Sequence, residues 1–119
     1  MSKLDYKAYL RSKHWLDLRK CALRRAHNQC EACTSTERLN VHHKTYRRLE
    51  HEKLKDLRVL CKWCHLNVHE IARKISRRSS EAALHDATRL YIRRYRRAVK
   101  LKKKLLIISG VVFRIPTKV

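Results

Sequence analysis

The chain has 119 residues, 31 Lys or Arg against 10 Asp or Glu, and a formal net charge of +21. That length allows one small domain, and that charge exceeds what solubility requires, so a polyanionic partner with salt-dependent affinity is expected. One Gly, one Pro and 34% charged residues argue against a turn-rich β architecture, and no apolar run approaches a membrane span of about 20 residues.

The N-terminus, MSKLDYKAYL, lacks the apolar core of a signal peptide. An intracellular, cytoplasmic setting is expected, in which thiols stay reduced and paired cysteines serve as metal ligands before disulfides. From about Lys7 to Ala26, Trp15, Leu18, Ala22 and Ala26 recur at helical spacing, predicting one packing helix with Cys21 as a small core residue.

Cys30 and Cys33 then form a first knuckle, and Leu39 to Lys44 alternates as a short strand. Tyr46 to Lys55 reads as a polar and charged loop, Ω-type or partly helical, and Leu57 to Leu60 as an apolar segment entering a second knuckle, Cys61 and Cys64. His65 to about Arg78 predicts a helix buried through Val68, Ala72 and Ile75. Ser79 and Ser80 break the pattern, with Ser80 as N-cap of a helix reaching about Lys104 and lined by Leu84, Ala87, Tyr91, Tyr95 and Ala98. LLIISGVVFRIP is compatible with a hairpin around Ser109 and Gly110, or with a tail that is bound by a partner or poorly ordered.

Cys-x₂-Cys, 27 residues and Cys-x₂-Cys suit one tetrahedral structural Zn²⁺. CKWCH also fits c-type haem attachment literally, but that reading leaves Cys30 and Cys33 unexplained. His65 and His69, four apart on a helix, share a face and can reach one ion. His42 and His43 are consecutive on a strand, so they point to opposite faces and divide the work, one toward a metal and one toward a substrate phosphate. A metal beside a base of near-neutral pKa is the equipment of phosphodiester hydrolysis.

VHHKTYRRLEHEKLKDLRVLCKWCHLNVHE resembles the core of HNH endonucleases, the ββα-metal or His-Me finger nucleases, in their zinc-bearing phage and bacterial branch. YLRSKHWLDLRKCALRRAHNQCEAC is similar to the helix and knuckle that precede that core, and together they cover about residues 9–70. The resemblance implies His43 as the water-activating base, and His42, His65 and His69 holding a catalytic divalent ion (Mg²⁺, Mn²⁺, Ni²⁺ or Zn²⁺). It also implies products with a 5′-phosphate and a 3′-hydroxyl. The family's middle Asn, which braces the base, aligns with His51 beside Glu52, a departure that implies an altered pH profile or a slow site. Nitrogen-rich ligation favours transition ions over Mg²⁺.

The expected fold is therefore α+β: a zinc-stapled ββα-metal nuclease domain over 1–78 with an N-terminal helix, and a basic helical extension over 79–119. Residues 73–119 hold 15 basic and 2 acidic side chains. Arg47, Arg48, Arg93, Arg94, Arg96, Arg97 and Lys100 are the expected contacts to double-stranded DNA, with Tyr91 and Tyr95 in the core. The rival readings are a non-catalytic Cys₄ zinc-ribbon nucleic-acid binder and a protein that docks on an acidic partner; the chain itself is expected as a monomer or homodimer in a bacterial or phage-infected cell.

Overall fold

The computed structural model describes residues 3–75 and 80–115, with side chains over 5–75 and 82–115. It is a small α+β domain with four helices and two small antiparallel sheets, in the order α1 (Lys3–Tyr9), α2 (Lys13–Arg25), β1 (Leu39–His43), β2 (Leu57–Cys61), α3 (Lys62–Ile75), α4 (Ser80–Lys100), β3 (Leu105–Ile108) and β4 (Val111–Arg114).

The single N-terminal helix expected from the periodicity is two helices. Ser12 stops the run by capping the next one, its hydroxyl accepting the Trp15 N–H at 3.2 Å. Trp15 and Ala22 are buried as expected and Leu18 and Ala26 pack beside them, but Cys21 is exposed. It falls on the outer face of α2, next to the fully buried Ala22. The helix ends in a Schellman-type turn, with Asn28 N–H on Leu23 O at 2.9 Å and His27 and Asn28 at φ 56° and 54°. That turn redirects the chain into the first knuckle.

β1 pairs with β2 in antiparallel register, His42 opposite Arg58 and His43 opposite Leu57. Side chains alternate across this ribbon, so its two faces enter different cores. One face, through Leu57, Val59 and Val41, packs on Trp15 and Ala22 of α2. The other, through Leu60, packs on α3, α4 and the C-terminal hairpin in a core that also takes in Cys30, Cys61 and Cys64.

α3 begins at Lys62, three residues earlier than expected, because the Cys61 sulfur accepts the Cys64 N–H at 3.4 Å and acts as a cap. Its expected end near Arg78, the Ser79 break and the Ser80 capping side chain lie outside the described residues. α4 buries Leu84, Ala87, Tyr91, Tyr95 and Ala98, the stripe read from the periodicity, and stops at Lys100, where Lys102 at φ 56° ends the run. β3 and β4 form the hairpin, with Ser109 and Gly110 at φ 50° and 79° in the two-residue loop. Positive φ at both loop positions matches the right-handed twist of the strands. Leu106, Ile108 and Phe113 carry the hairpin into the shared core. Among the described residues no helix is long and apolar enough to cross a membrane.

Candidate metal centres

The knuckles at 30–33 and 61–64 converge. The four sulfurs of Cys30, Cys33, Cys61 and Cys64 lie within 4.8 Å of one another, with Cys33 and Cys61 at 3.6 Å. Tetrahedral zinc with Zn–S bonds of about 2.3 Å sets its sulfurs about 3.8 Å apart, so the cluster has the size and ligand type for a structural Zn²⁺. All five cysteines of the chain are free thiols. Backbone N–H groups support the sulfurs, Cys33 N–H on Cys30 at 3.5 Å and Cys64 N–H on Cys61 at 3.4 Å. From α4, the Tyr91 hydroxyl donates to Cys64 Sγ at 3.2 Å and accepts from the Asn67 amide at 3.2 Å.

Proton sharing inside the cluster is uneven. Hydrogen bonds from Cys33 and Cys64 hold the Cys30 thiol far below its ordinary value. The same bond to Cys30 pushes Cys33 up to about 12 and raises Cys64 as well. A metal ion binding there competes with the protons that these hydrogen bonds hold.

The second cluster is built across elements. His42 leaves β1 on the face turned to α3, where His65 and His69 are one turn apart, and the three offer ligand nitrogens within 4.8 Å of one another. His65 Nε2 and His69 Nε2 are 3.1 Å apart. Two imidazoles on one ion at Zn–N of about 2.0–2.1 Å sit about 3.3 Å apart, so this triad also suits a divalent metal. The rings meet edge-on, His42 at 4.9 Å from His65 and 5.4 Å from His69 between centroids. Burial, then the neighbouring His65, His69 and His43, push His42 down to about 2. Burial likewise lowers His65 and His69. All three are therefore neutral with a lone pair to give.

α4 completes the setting of His42. Thr88 Oγ1 lies 2.9 Å from His42 Nε2 and donates its own proton to Leu84 O at 2.7 Å. With its one proton committed, the hydroxyl accepts Nε2–H, which leaves Nδ1 as the basic nitrogen of His42.

His43 faces the other way and is only 3% exposed. Its ring is sandwiched between Trp15, stacked at 4.8 Å, and Tyr46 at 5.0 Å. Its Nε2 is 2.8 Å from Glu52 Oε2. Tyr9 donates to Oε1 of the same carboxylate, and His14 Nε2 is 3.5 Å from it. Burial pushes the Glu52 carboxyl up, but the hydrogen bonds from Tyr9 and His43 outweigh it and hold the group below the ordinary carboxylate value. Burial also raises Tyr9, keeping it a donor.

The side chain that meets His43 is thus Glu52, one residue beyond the His51 expected there. His51 is exposed and its backbone N–H bonds Arg48 O at 2.7 Å, whereas Glu52 turns inward to His43. Glu50 at φ 73° turns the chain so that consecutive residues exchange faces. The Glu beside His51 was visible in the sequence, but its direction was not.

Of the expected DNA contacts, Arg48 is committed inside the fold: its guanidinium grips Asp56, Nε at 2.9 Å, and Asp56 also accepts the Lys53 N–H at 2.9 Å. That knot fixes the loop carrying Glu52. Arg47, Arg93, Arg94, Arg96, Arg97 and Lys100 are exposed. Arg96 Nε bonds Glu31 O at 2.8 Å, and Arg94 reaches Ile107 O at 3.5 Å. Compared with models of known protein families, with curated proteins and with solved structures, the chain matches none.

Proposed function

We propose that the chain is a metal-dependent DNA endonuclease of the HNH, or ββα-metal, type. The observation that carries the reading is the pairing of two consecutive strand residues with different equipment. His42 joins His65 and His69 in a neutral triad, while His43 is held by a buried carboxylate on the opposite face. A triad of imidazoles on a ribbon followed by a helix is the arrangement that the sequence resemblance implies.

In this reading His42, His65 and His69 hold a divalent ion, which when bound supplies charge neutralisation to phosphate and leaving oxygens. The remaining chemistry belongs to the chain. Glu52 accepts the Nε2–H of His43, so the basic nitrogen is Nδ1, the atom that takes the proton from water. Trp15 and Tyr46 fix the ring plane, and the carboxylate stabilises the imidazolium that forms once the proton is taken. The Cys₄ cluster is a structural zinc site that holds β2, α3 and the first knuckle together.

Supercoiled plasmid incubated with the zinc-loaded protein in Mg²⁺, Mn²⁺ or Ni²⁺, beside His43→Ala, tests the proposal. Expected is metal-dependent nicking that His43→Ala loses while still binding DNA. Cleavage by neither protein with any ion, despite salt-sensitive binding by both, would leave the non-catalytic zinc-ribbon reading.

A further inference from the structure

The four arginines Arg58, Arg89, Arg93 and Arg96 form one wall system that the sequence does not display as a unit. Arg89, Arg93 and Arg96 follow each other at helical spacing along α4, and with Arg58 of β2 they line a groove of about 650 Å³. Glu31 and Asp86 also line it. Glu31 spends its charge within the fold: its carboxylate pairs with Arg58 at 3.1 Å and Arg25 at 3.2 Å, and its backbone oxygen anchors Arg96 at 2.8 Å. Asp86 is an exposed side chain beside His85.

Two of the groove's arginines neighbour the histidine triad. Arg58 is the register partner of His42, so both side chains leave the ribbon on one face. Arg89 directly follows Thr88, which touches His42. The other arginines of α4 go elsewhere: Arg94 and Arg97 line a separate recess with Leu101, Lys103 and Ile107 beside the C-terminal hairpin.

We infer that the Arg58–Arg89–Arg93–Arg96 groove is the track for the DNA backbone leading to the histidine triad, and that Arg94 and Arg97 are not part of it. The occupant follows from charge: guanidiniums present planar forks suited to phosphate oxygens, with Arg58 and Arg96 held in place by Glu31 and Arg89 and Arg93 exposed between them. Arg89 to Arg96 spans about 10 Å of helix, room for several phosphates of one strand at a rise of about 3.4 Å each. This inference takes its direction from the proposed nuclease site but concerns binding alone.

The test compares two charge reversals of equal size in the zinc-loaded His43→Ala protein, which binds without cutting. Anisotropy of a short labelled DNA duplex is followed through a salt titration. Arg89→Glu with Arg93→Glu is expected to weaken binding by more than about tenfold and to make the log–log salt slope shallower by about 2. Arg94→Glu with Arg97→Glu should change affinity by less than about threefold. Equal losses in the two variants would mean an undirected basic field, and no loss in the first would mean that the groove serves another partner; either result overturns the inference. Zinc content and the thermal melt check the fold, and Arg89→Gln with Arg93→Gln, which introduces no repulsion, must show the same order of effects. Because the readout is affinity, a protein that never cleaves DNA can still pass this test, and a true nuclease can fail it.

Discussion

His43 Nε2 lies 2.8 Å from Glu52 Oε2, inside a shell closed by Trp15, Tyr46 and Tyr9. Both oxygens of Glu52 receive donors, so the carboxylate is suited to its place and an amide is not. In Glu52→Gln one oxygen becomes an NH₂ group that faces either Nε2–H or the Tyr9 hydroxyl, and the imidazole must swap its tautomer or shift. Expected is a fall in kcat of about 10- to 100-fold with DNA affinity retained. His51→Ala should remain near wild type. If His51→Ala is the damaging variant and Glu52→Gln the silent one, the brace has been misassigned.

Asp56 supports the same loop from the other side. The hydrogen bonds from Arg48 hold its carboxyl down at about 2, against an ordinary value of 3.8. A depressed carboxyl stabilises the fold above its unfolded pKa, and that contribution is lost as pH falls from about 4 to about 2. Asp56→Asn should therefore cost on the order of 2 kcal/mol at neutral pH. Urea melts of the zinc-loaded proteins at neutral pH measure it, in a double-mutant cycle with Arg48→Met. If Asp56→Asn costs as much in the Arg48→Met background as in wild type, the Arg48 pair is not its source.

These two carboxylates mark where the sequence stopped being legible. The cysteine spacing, the His-x₃-His turn and the apolar stripe of α4 are periodic, and the structure places each where its period implies. Glu52 and Asp56 lie in an aperiodic loop whose backbone reverses at Glu50, so no spacing rule says which of His51 and Glu52 points inward. Thr88 was hidden for another reason. It sits inside an apolar stripe, where a Thr reads as a tolerated core residue, and its partner His42 is 46 residues away. Cys21 shows the reverse error, since a small apolar side chain one position from a buried stripe gives no signal of its own direction.

Zinc removal should undo the domain and not merely loosen it. The Cys₄ sulfurs lie within the larger core, against Leu60, Tyr91 and Tyr95. A structural zinc site contributes about 10–16 kcal/mol, which matches or exceeds the whole net stability of about 5–15 kcal/mol expected of a domain. A strong chelator is expected to abolish the cooperative thermal transition, and added Zn²⁺ to restore it. Cys33, pushed up to about 12, and the raised Cys64 give up protons when metal binds. Apparent zinc affinity should therefore climb with pH, as competition with a chromophoric chelator would register. A melt unaffected by chelation would remove the case for structural zinc.

Thr88 gives the sharpest test of the histidine triad, because it touches one ligand and neither cleaves nor binds anything itself. His42 is 1% exposed, so deleting its acceptor leaves a buried N–H without a partner, a loss of about 1–3 kcal/mol. The ring is then free to rotate or change tautomer, and Nδ1 is no longer the fixed lone pair. Thr88→Val keeps the shape of the side chain and removes only the hydroxyl. With the Cys₄ site already filled by zinc, titration with Co²⁺ or Mn²⁺ should show the second ion bound about 10- to 100-fold more weakly than in wild type, and Thr88→Ser should recover most of it. Tyr91→Phe, one turn along the same helix, removes the bond to Cys64 instead. It should weaken zinc retention and leave the second ion nearly untouched. If Thr88→Val binds the second ion as well as wild type does, the orientation of His42 is set by α3 and the ribbon alone.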